Sequence, residues 1–492
     1  MDLEEDYIKL IFGLKLKQIR TERKLSLFGL SKKSGLSKSY LNEIEKGKKY
    51  PKTDKIIALA QALDVTYDEL VSLKLDKNLA PVAELLQSNV LKEIPLTHFG
   101  IKQDDLIDII ANAPLKVNTF INTLIEIAKY YSLNKENFYL VALRSFQESN
   151  NNYFPTIEEQ AQQFKIEFLP HLEKQIQNKD LEEILVEEFD YKFEVLKTKK
   201  YTSLSELRSL FHPDTKKLYI SNEIDESQRL FLLAKEIGYN VLNLKQRPLT
   251  FSWIHYSSFE EVLNNFYASY FSGALLLNEI DFADDLKHIF KREKFETKYF
   301  DQLITKYNVS TETLFQRMTN ILPGVLGIRN LFFLRFSSPI NELNIRLTKE
   351  LHITNLHEPH AKKTNEHYCR RWVSSALLKD FDESKSKYKM DAQISNYQNN
   401  KSYFVLAAAS KDLFQPNQVR SIGLGILKHA KNKRLVNFFN DNNLDNKSVG
   451  VTCETCSITD CDLRASAADV LHKKQKFELM SIQLKQFLNN EK

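Results

Sequence analysis

Four cysteines occur in this chain of 492 residues: Cys369, and then Cys453, Cys456 and Cys461 in the spacing C-x2-C-x4-C. A loop that short can aim three sulfurs at one point, and Cys369 is available as a fourth donor. Thiolates are soft ligands, and four around one centre mean an iron-sulfur cluster or a structural zinc. Structural all-cysteine zinc sites usually come as two C-x2-C pairs. Three close cysteines plus one distant is the commoner iron-sulfur arrangement, so the spacing favours the cluster over Zn. His367, two residues from Cys369, is a competing donor, and a set of reduced thiols holding nothing is the plain alternative. Four of the eleven histidines, His352, His357, His360 and His367, lie within sixteen residues. They make a second metal site or simply a polar loop. Nucleotide chemistry has no comparable support: Gly423-Leu424-Gly425 is too short for a dinucleotide fingerprint, and no G-x-x-x-x-G-K-[ST] occurs.

The elements that would carry such a centre belong to a long globular chain. It is 42% hydrophobic and 27% charged, with length for roughly three domains. Only 12 glycines against 32 Phe and 21 Tyr favour long, packed elements with helix in the majority. No stretch approaches the roughly 18 uncharged apolar residues of a membrane helix. The start, MDLEEDYIKL, is acidic where a signal peptide would be basic, so the expected location is the cytoplasm. Charge is unevenly placed. Residues 9–52 hold thirteen Lys or Arg against three acidic residues, a local +10 in a chain whose total is +5. A basic head on a slightly acidic body points to a polyanion partner for the head alone.

That head reads as five short helices. Phe12, Leu16 and Ile19 share one face of the first. Ser26 is placed to cap a second, Gly35 to end it at positive φ, and Ser37 to cap a third. Pro51 breaks the chain and Thr53 opens a fourth helix with Ile56, Ala60 and Leu63 inward. Thr66 with Glu69 forms a capping box for a fifth. Two helices joined by a tight glycine turn make a helix-turn-helix. The run GLSKSYLNEIEKGKKYP, residues 35–51, resembles the xenobiotic-response-element-type helix-turn-helix family, over residues 9–75. The resemblance implies that the third helix enters the major groove with Lys38, Ser39, Tyr40, Asn42 and Glu43 at or near base edges, while Lys46, Lys48 and Lys49 meet phosphates. Leu27 and Ser31 depart from the Gln and Ala common in that family. The bland alternative is a solvated basic face on a protein-binding module.

Beyond Pro81, residues 85–147 read as amphipathic helices, residues 117–131 carrying Phe120, Leu124 and Ala128 on one face. No chemistry is visible there. Homodimerisation is the expectation, because readers of paired half-sites use two-fold symmetry, with a plain helical spacer as the alternative.

From residue 182, EEILVEEFDYKFEVL and LRSLFHPDTKKLYI read as strands, the second run turning at His212-Pro213-Asp214. A helix follows, boxed by Asp225 and Gln228, with Leu230, Leu233, Ala234, Ile237 and Val241 as its buried stripe. Strands followed by RLFLLAKEIGYNVL resemble the ImmA/IrrE-type metallopeptidase fold, whose helix bears H-E-x-x-H. Here those positions hold Lys235, Glu236, Ile237, Gly238 and Tyr239. A zinc peptidase needs two imidazoles one turn apart and a Glu to take a proton from bound water. Lys235 has no lone pair to offer as an ammonium, and Tyr239 is a poor zinc ligand at neutral pH. The next helix, EEVLNNFYASYFSGALLL, has Ala268 and Ser269 where an acidic ligand is expected nearby. Its Phe266, Tyr267, Tyr270 and Phe271 read as core rather than cofactor box. The expectation is a peptidase frame kept as scaffold or ligand pocket, without catalysis. YNVSTETLFQRMTNIL, with Ser310 and Glu312, reads as a capped packing helix.

The words VGVTCETCSITDCDLRASAAD, EHYCRRW and NNFYASYFSGALL, behind a helix-turn-helix, resemble the short-chain fatty acyl-CoA regulator family. The resemblance spans nearly the whole chain. It implies a multidomain, mainly α protein with α+β parts: a helix-turn-helix domain over residues 1–76, a helical linker or dimerisation region over 77–155, a degenerate ImmA/IrrE-like domain over 156–278, a helical region over 279–345 and a cysteine-bearing sensor domain over 346–492. It further implies a transcription factor of carbon or fatty-acid metabolism with an acyl-CoA effector, and a [4Fe-4S] cluster on the three clustered cysteines. Cys369 completes the set by inference. Double-stranded DNA, in the form of a palindromic operator, and a second copy of the chain are the expected partners. A regulator stapled by structural zinc, without redox sensing, and a metallopeptidase that cuts a repressor are the alternatives.

Overall fold

The computed structural model describes residues 3–72, 135–170, 175–197, 207–250, 254–340, 342, 344–353, 366–412, 415 and 417–490. They fall into two units, Met1–Ala142 and Leu143–Lys492. In the first, α1 (Leu3–Glu22), α2 (Leu27–Ser34), α3 (Lys38–Glu45), α4 (Thr53–Leu63) and α5 (Tyr67–Val71) form where the sequence places them. Ser26, Ser37 and Thr66 accept from the backbone N–H groups of Gly29, Tyr40 and Glu69, satisfying donors that a helix start leaves open. Gly35 ends α2 at φ +71°, which a residue with a Cβ adopts only at a cost. Phe12, Leu16, Leu30, Leu41, Ile44, Ile56 and Leu63 close a small core. A Cβ added to Gly13 would come within 2.2 Å of the Ile44 carbonyl oxygen, so the backbones of α1 and α3 touch there.

Of the helical middle, α6 (Lys135–Ser149) is described. The amphipathic stretch expected over residues 117–131 lies outside the described residues, as do His357 and His360.

The second unit opens with α7 (Pro155–Phe168), α8 (Asn178–Glu187), β1 (Lys192–Val195), β2 (Ser209–His212) and β3 (Lys217–Ile220). The first expected strand run is half wrong: Glu182 to Glu187 is the end of α8. Leu181, Ile184 and Leu185 recur at helical spacing and are buried, and Asp180 returns a hydrogen bond to the Gln177 backbone as a capping box. Glu182, Glu183 and Glu187 lie off that buried stripe, which a strand alternation cannot arrange. The turn after His212 is as expected. Then come α9 (Glu226–Val241), β4 (Leu249–Thr250), β5 (Ile254–His255), α10 (Phe259–Leu276), α11 (Glu279–Phe290), α12 (Lys298–Tyr307) and α13 (Thr311–Gly324). The five strands order as β1-β3-β2-β4-β5, β1 parallel to β3 and the rest antiparallel. Asp225 caps α9 as expected. Tyr270 and Phe271 of α10 are buried, and the Tyr270 hydroxyl donates to Glu158, which Arg317 grips with two bonds of 2.6 and 2.8 Å. The aromatic stripe is therefore core.

A second sheet follows: β6 (Leu331–Pro339), β7 (Arg346–Ile353), α14 (Val373–Asp380), β8 (Tyr388–Tyr397), β9 (Ser402–Lys411), β10 (Gln418–Leu427), α15 (Ala430–Lys433), β11 (Asp445–Val449) and the long α16 (Asp469–Asn490). Its order is β11-β8-β9-β10-β6-β7, with β11 parallel to β8 and the other pairs antiparallel. β6 belongs to this sheet, which thus begins inside the segment 279–345. Strand alternation splits the sheet into two faces. Leu331, Phe333, Phe404, Leu406, Ile422 and Leu424 join the core of the peptidase-like helices. Phe332, Leu334, Phe336, Tyr403 and Val405 pack instead on Trp372, Val373 and Leu377 of the α14 segment. Gly423 and Gly425 are packing residues: an added Cβ would meet Ser374 Oγ at 2.5 Å and the Phe332 ring at 2.2 Å. The protein is mainly α with two α+β parts. Among the described residues no helix is long and apolar enough to cross a membrane.

Candidate functional site

Cys369 is brought to the other cysteines by backbone pairing between two short segments. The Cys369 N–H donates to the Val451 carbonyl at 3.0 Å, the Cys453 N–H donates to the His367 carbonyl at 2.8 Å, and Tyr368 bridges Thr452 antiparallel. Side chains reinforce the zip. Trp372 Nε1 donates to the Gly450 carbonyl at 3.0 Å, Thr452 Oγ1 donates to Glu366, and Glu454 accepts from the His367 backbone while its other oxygen lies 2.7 Å from His367 Nδ1. His367 is exposed and engaged with Glu454, so its side chain serves the zip. His352 is buried on β7 and lies 3.5 Å from Glu350.

The loop beyond Cys453 is held from within. Cys456 N–H donates to the Cys453 carbonyl, making the C-x2-C segment a turn. Arg464 ties the loop by donating to the carbonyls of Cys453 and Ile458, and this is the physical use of the arginine three residues after Cys461. The Ala465 N–H donates to Cys453 Sγ at 3.3 Å and fixes that sulfur in the loop. All four cysteines line one pocket together with Arg370, Arg371 and Arg464. None is in a disulfide; Cys369, Cys453 and Cys456 are buried and Cys461 is half-buried. Burial pushes the Cys369 thiol up to about 11, against the backbone N–H groups of Arg371 and Gly450 that pull it down. A cation entering here displaces a proton from that sulfur. Among the described residues no three His, Cys, Asp or Glu side chains converge closely enough to hold a single metal ion. Gly450 abuts Cys456: an added Cβ would stand 2.8 Å from Cys456 Sγ.

The helix that resembles a peptidase helix has its own closed network. Lys235 Nζ donates to Asn265 Oδ1 at 2.6 Å. Glu236 is buried and accepts from Arg247 Nη1 at 2.5 Å and from the Tyr191 hydroxyl at 3.1 Å. Arg247 lies over the rings of Phe211 and Tyr239, at 4.2 and 4.5 Å. Burial, helped by the nearby Arg208 and Arg247 charges, pushes the Lys235 ammonium down to about 8. Ser269 Oγ is turned back to its own helix at the Asn265 carbonyl, and Ala268 is fully buried. The carboxylate that would serve as base thus answers a guanidinium. Tyr191 and Arg247 carry no local motif, and only the fold places them here.

In the N-terminal unit Lys38, Ser39 and Asn42 are exposed on α3, with Tyr40 and Glu43 half-buried. Lys48 and Lys49 are exposed in the following loop and Lys46 is half-buried. Lys49 pairs with Glu43 at 2.8 Å. Ser31, one of the two departures from the usual pattern, donates to the Leu36 carbonyl at 2.6 Å and braces the turn. Arg20 grips the buried Glu45 through two bonds, fixing α1 to the end of α3. This leaves the outer face of α3 clear, as a groove-reading helix requires.

Family models match three segments in order: helix-turn-helix over residues 16–70, IrrE N-terminal-like domain over residues 181–319, and short-chain fatty acyl coenzyme A regulator, C-terminal, over residues 360–487. Among solved structures the chain is similar to a Mycobacterium tuberculosis transcriptional regulator, at 18% identity over 66% of this chain and 92% of that chain, with a TM-score of 0.48. It is also similar to a restriction-modification controller protein from Aeromonas hydrophila, at 37% identity over 13% of this chain and 94% of that one, with a TM-score of 0.13. No curated protein matches.

Proposed function

We propose, from the premise that this chain joins the three parts of the short-chain fatty acyl-CoA regulators in their order, that it is a DNA-binding transcriptional regulator whose C-terminal domain senses through an iron-sulfur cluster. The observation that carries this reading is that Cys369 and the C-x2-C-x4-C trio line one pocket although Cys369 and Cys453 are 84 positions apart in the chain. The donor set suits the group. Four thiols supply the soft ligands of a [4Fe-4S] cluster, and three arginines line the pocket against its negative charge. When bound, a cluster supplies a redox-labile link between the two segments. Structural zinc remains the alternative that the C-x2-C turn itself would suit.

The chain's own residues then do the transmitting. Residues 450–465 are held on the 366–372 segment by the Cys369–Val451 and Cys453–His367 bonds, and cluster ligation adds to that hold. Loss of the cluster loosens it. The acyl-CoA effector comes to this chain from the regulator family of its C-terminal part. A homodimer gripping a palindromic operator is the arrangement in which such loosening alters transcription, since two heads must keep a fixed spacing. Peptide hydrolysis has no support at the peptidase-like helix: Lys235 and Tyr239 are not ligands, and Arg247 occupies Glu236. The test is operator affinity of cluster-loaded against cluster-free full-length protein at one salt concentration. The reading requires a difference; equal affinities refute the coupling.

A further inference from the structure

The three cysteines that are close in sequence are not the three that the fold shelters. Cys369, Cys453 and Cys456 are each 7% exposed or less, whereas Cys461 stays half-buried although it lines the same pocket. The contacts around each explain the difference. Cys369 sits on the paired 366–372 segment, and its carbonyl accepts from the Ser375 hydroxyl at 2.9 Å. Cys453 is paired to His367 through its backbone, and its sulfur accepts the Ala465 N–H. Cys456 closes its turn onto the Cys453 carbonyl and lies against Gly450. Cys461 has no such bracing. Among the described residues no hydrogen bond reaches its sulfur, and its carbonyl accepts a long bond of 3.4 Å from the Arg464 N–H.

The residues on either side of Cys461 are open as well. Ser457, Thr459, Asp460, Asp462 and Leu463 are all exposed, and the Arg464 guanidinium ties the loop at the carbonyls of Cys453 and Ile458 rather than at Cys461. Oxidation of a thiolate centre and exchange of its ligands both need an outside molecule to reach the corner concerned. Hydrogen bonds to the sulfurs and exclusion of solvent protect a corner, so an exposed thiolate without a donor gives way before sheltered ones. Three of the four corners are protected in this way, and the fourth is not.

We infer that Cys461 is the exchangeable ligand of the centre, the corner where oxidant arrives and iron leaves while Cys369, Cys453 and Cys456 keep their hold. This rests on the proposed function, whose cluster it takes as given. With ferricyanide as the one-electron oxidant, [4Fe-4S]2+ gives up one electron and releases Fe2+, leaving [3Fe-4S]+. Ferricyanide becomes ferrocyanide, and the Cys461 thiolate that held the departing iron is freed. The test takes full-length protein with its cluster, adds one equivalent of ferricyanide anaerobically and then iodoacetamide, and locates the alkylated cysteines by peptide mass spectrometry. Cys461 carries the label while the other three stay protected, about one iron in four is lost, and the paramagnetic signal of a three-iron cluster is gained. Cys461→Ser still assembles a three-iron cluster. Label on Cys369, Cys453 or Cys456 ahead of Cys461, label on all four together, or a Cys461→Ser protein without any cluster overturns the inference and leaves the sensing reading standing. Iron analysis before the oxidant is added tells these apart from failure of that reading: wild-type protein that holds no iron refutes both.

Discussion

Arg247 donates to Glu236 across 2.5 Å in the centre of the peptidase-like domain, so a fixed guanidinium answers the carboxylate that would serve a metallopeptidase as base. Glu236 is buried and Arg247 nearly so. Removing one partner leaves an uncompensated charge, so Arg247→Ala is expected to cost about 3 kcal/mol, while the paired change Glu236→Gln with Arg247→Met costs far less. Denaturant melts of both variants measure this. In a background with all four cysteines changed to serine, zinc should not raise the midpoint. A zinc-dependent rise in that background, lost on Glu236→Gln, would mean that the helix retains a metal site.

Lys235 gives the same domain a pH signature. Its folded value is about 8 against an ordinary 10.5, so between these limits the unfolded chain binds a proton that the folded chain does not. Stability contributed by this site therefore rises with pH through that window, and the penalty is fully present below it. Lys235→Met removes the penalty. The variant should melt higher than wild type at pH 7, and the gap should close toward pH 10. A gap constant with pH would show that Lys235 does not titrate here.

Much of the N-terminal unit was legible in the residues because each of its signals is local. Ser26, Gly35, Ser37 and Thr66 act within four positions of themselves: three side chains cap helix starts and Gly35 ends α2 at positive φ. The strand run at residue 182 misled because Ile184 and Leu185 fit a buried strand as well as a helix, and the deciding cap, Asp180 to Gln177, lies upstream of it. Cysteine spacing singles out three of the four thiols that line the pocket, but the parts played by Gly450 and Arg464 depend on how the loop folds. That Cys461 is less sheltered than Cys369 is invisible in sequence, since it depends on which segments pair.

The head should bind DNA with a steep salt dependence. Each phosphate that a lysine no longer neutralises takes about 0.9 off the slope of log affinity against log salt. Lys46→Ala and Lys48→Ala should each flatten the slope by that amount, measured on the same operator. Slopes unchanged in the first two variants would take those lysines off the phosphate backbone.

Gly450 offers a test that spares every cysteine. A methyl group there would stand 2.8 Å from Cys456 Sγ and 2.9 Å from its Cβ, so Cys456 must move. Gly450→Ala is expected to lower bound metal per chain while the far-ultraviolet circular dichroism stays that of wild type. Full metal content in this variant would mean that Cys456 is not a ligand.

Sensing at the C-terminal domain requires that four separate sulfurs share one inorganic centre. Anaerobically purified protein should be brown, with a broad visible absorbance and about four irons and four acid-labile sulfides per chain, and Cys369→Ser should lose most of both. Colourless protein with one zinc per chain, or iron content untouched by Cys369→Ser, would contradict it.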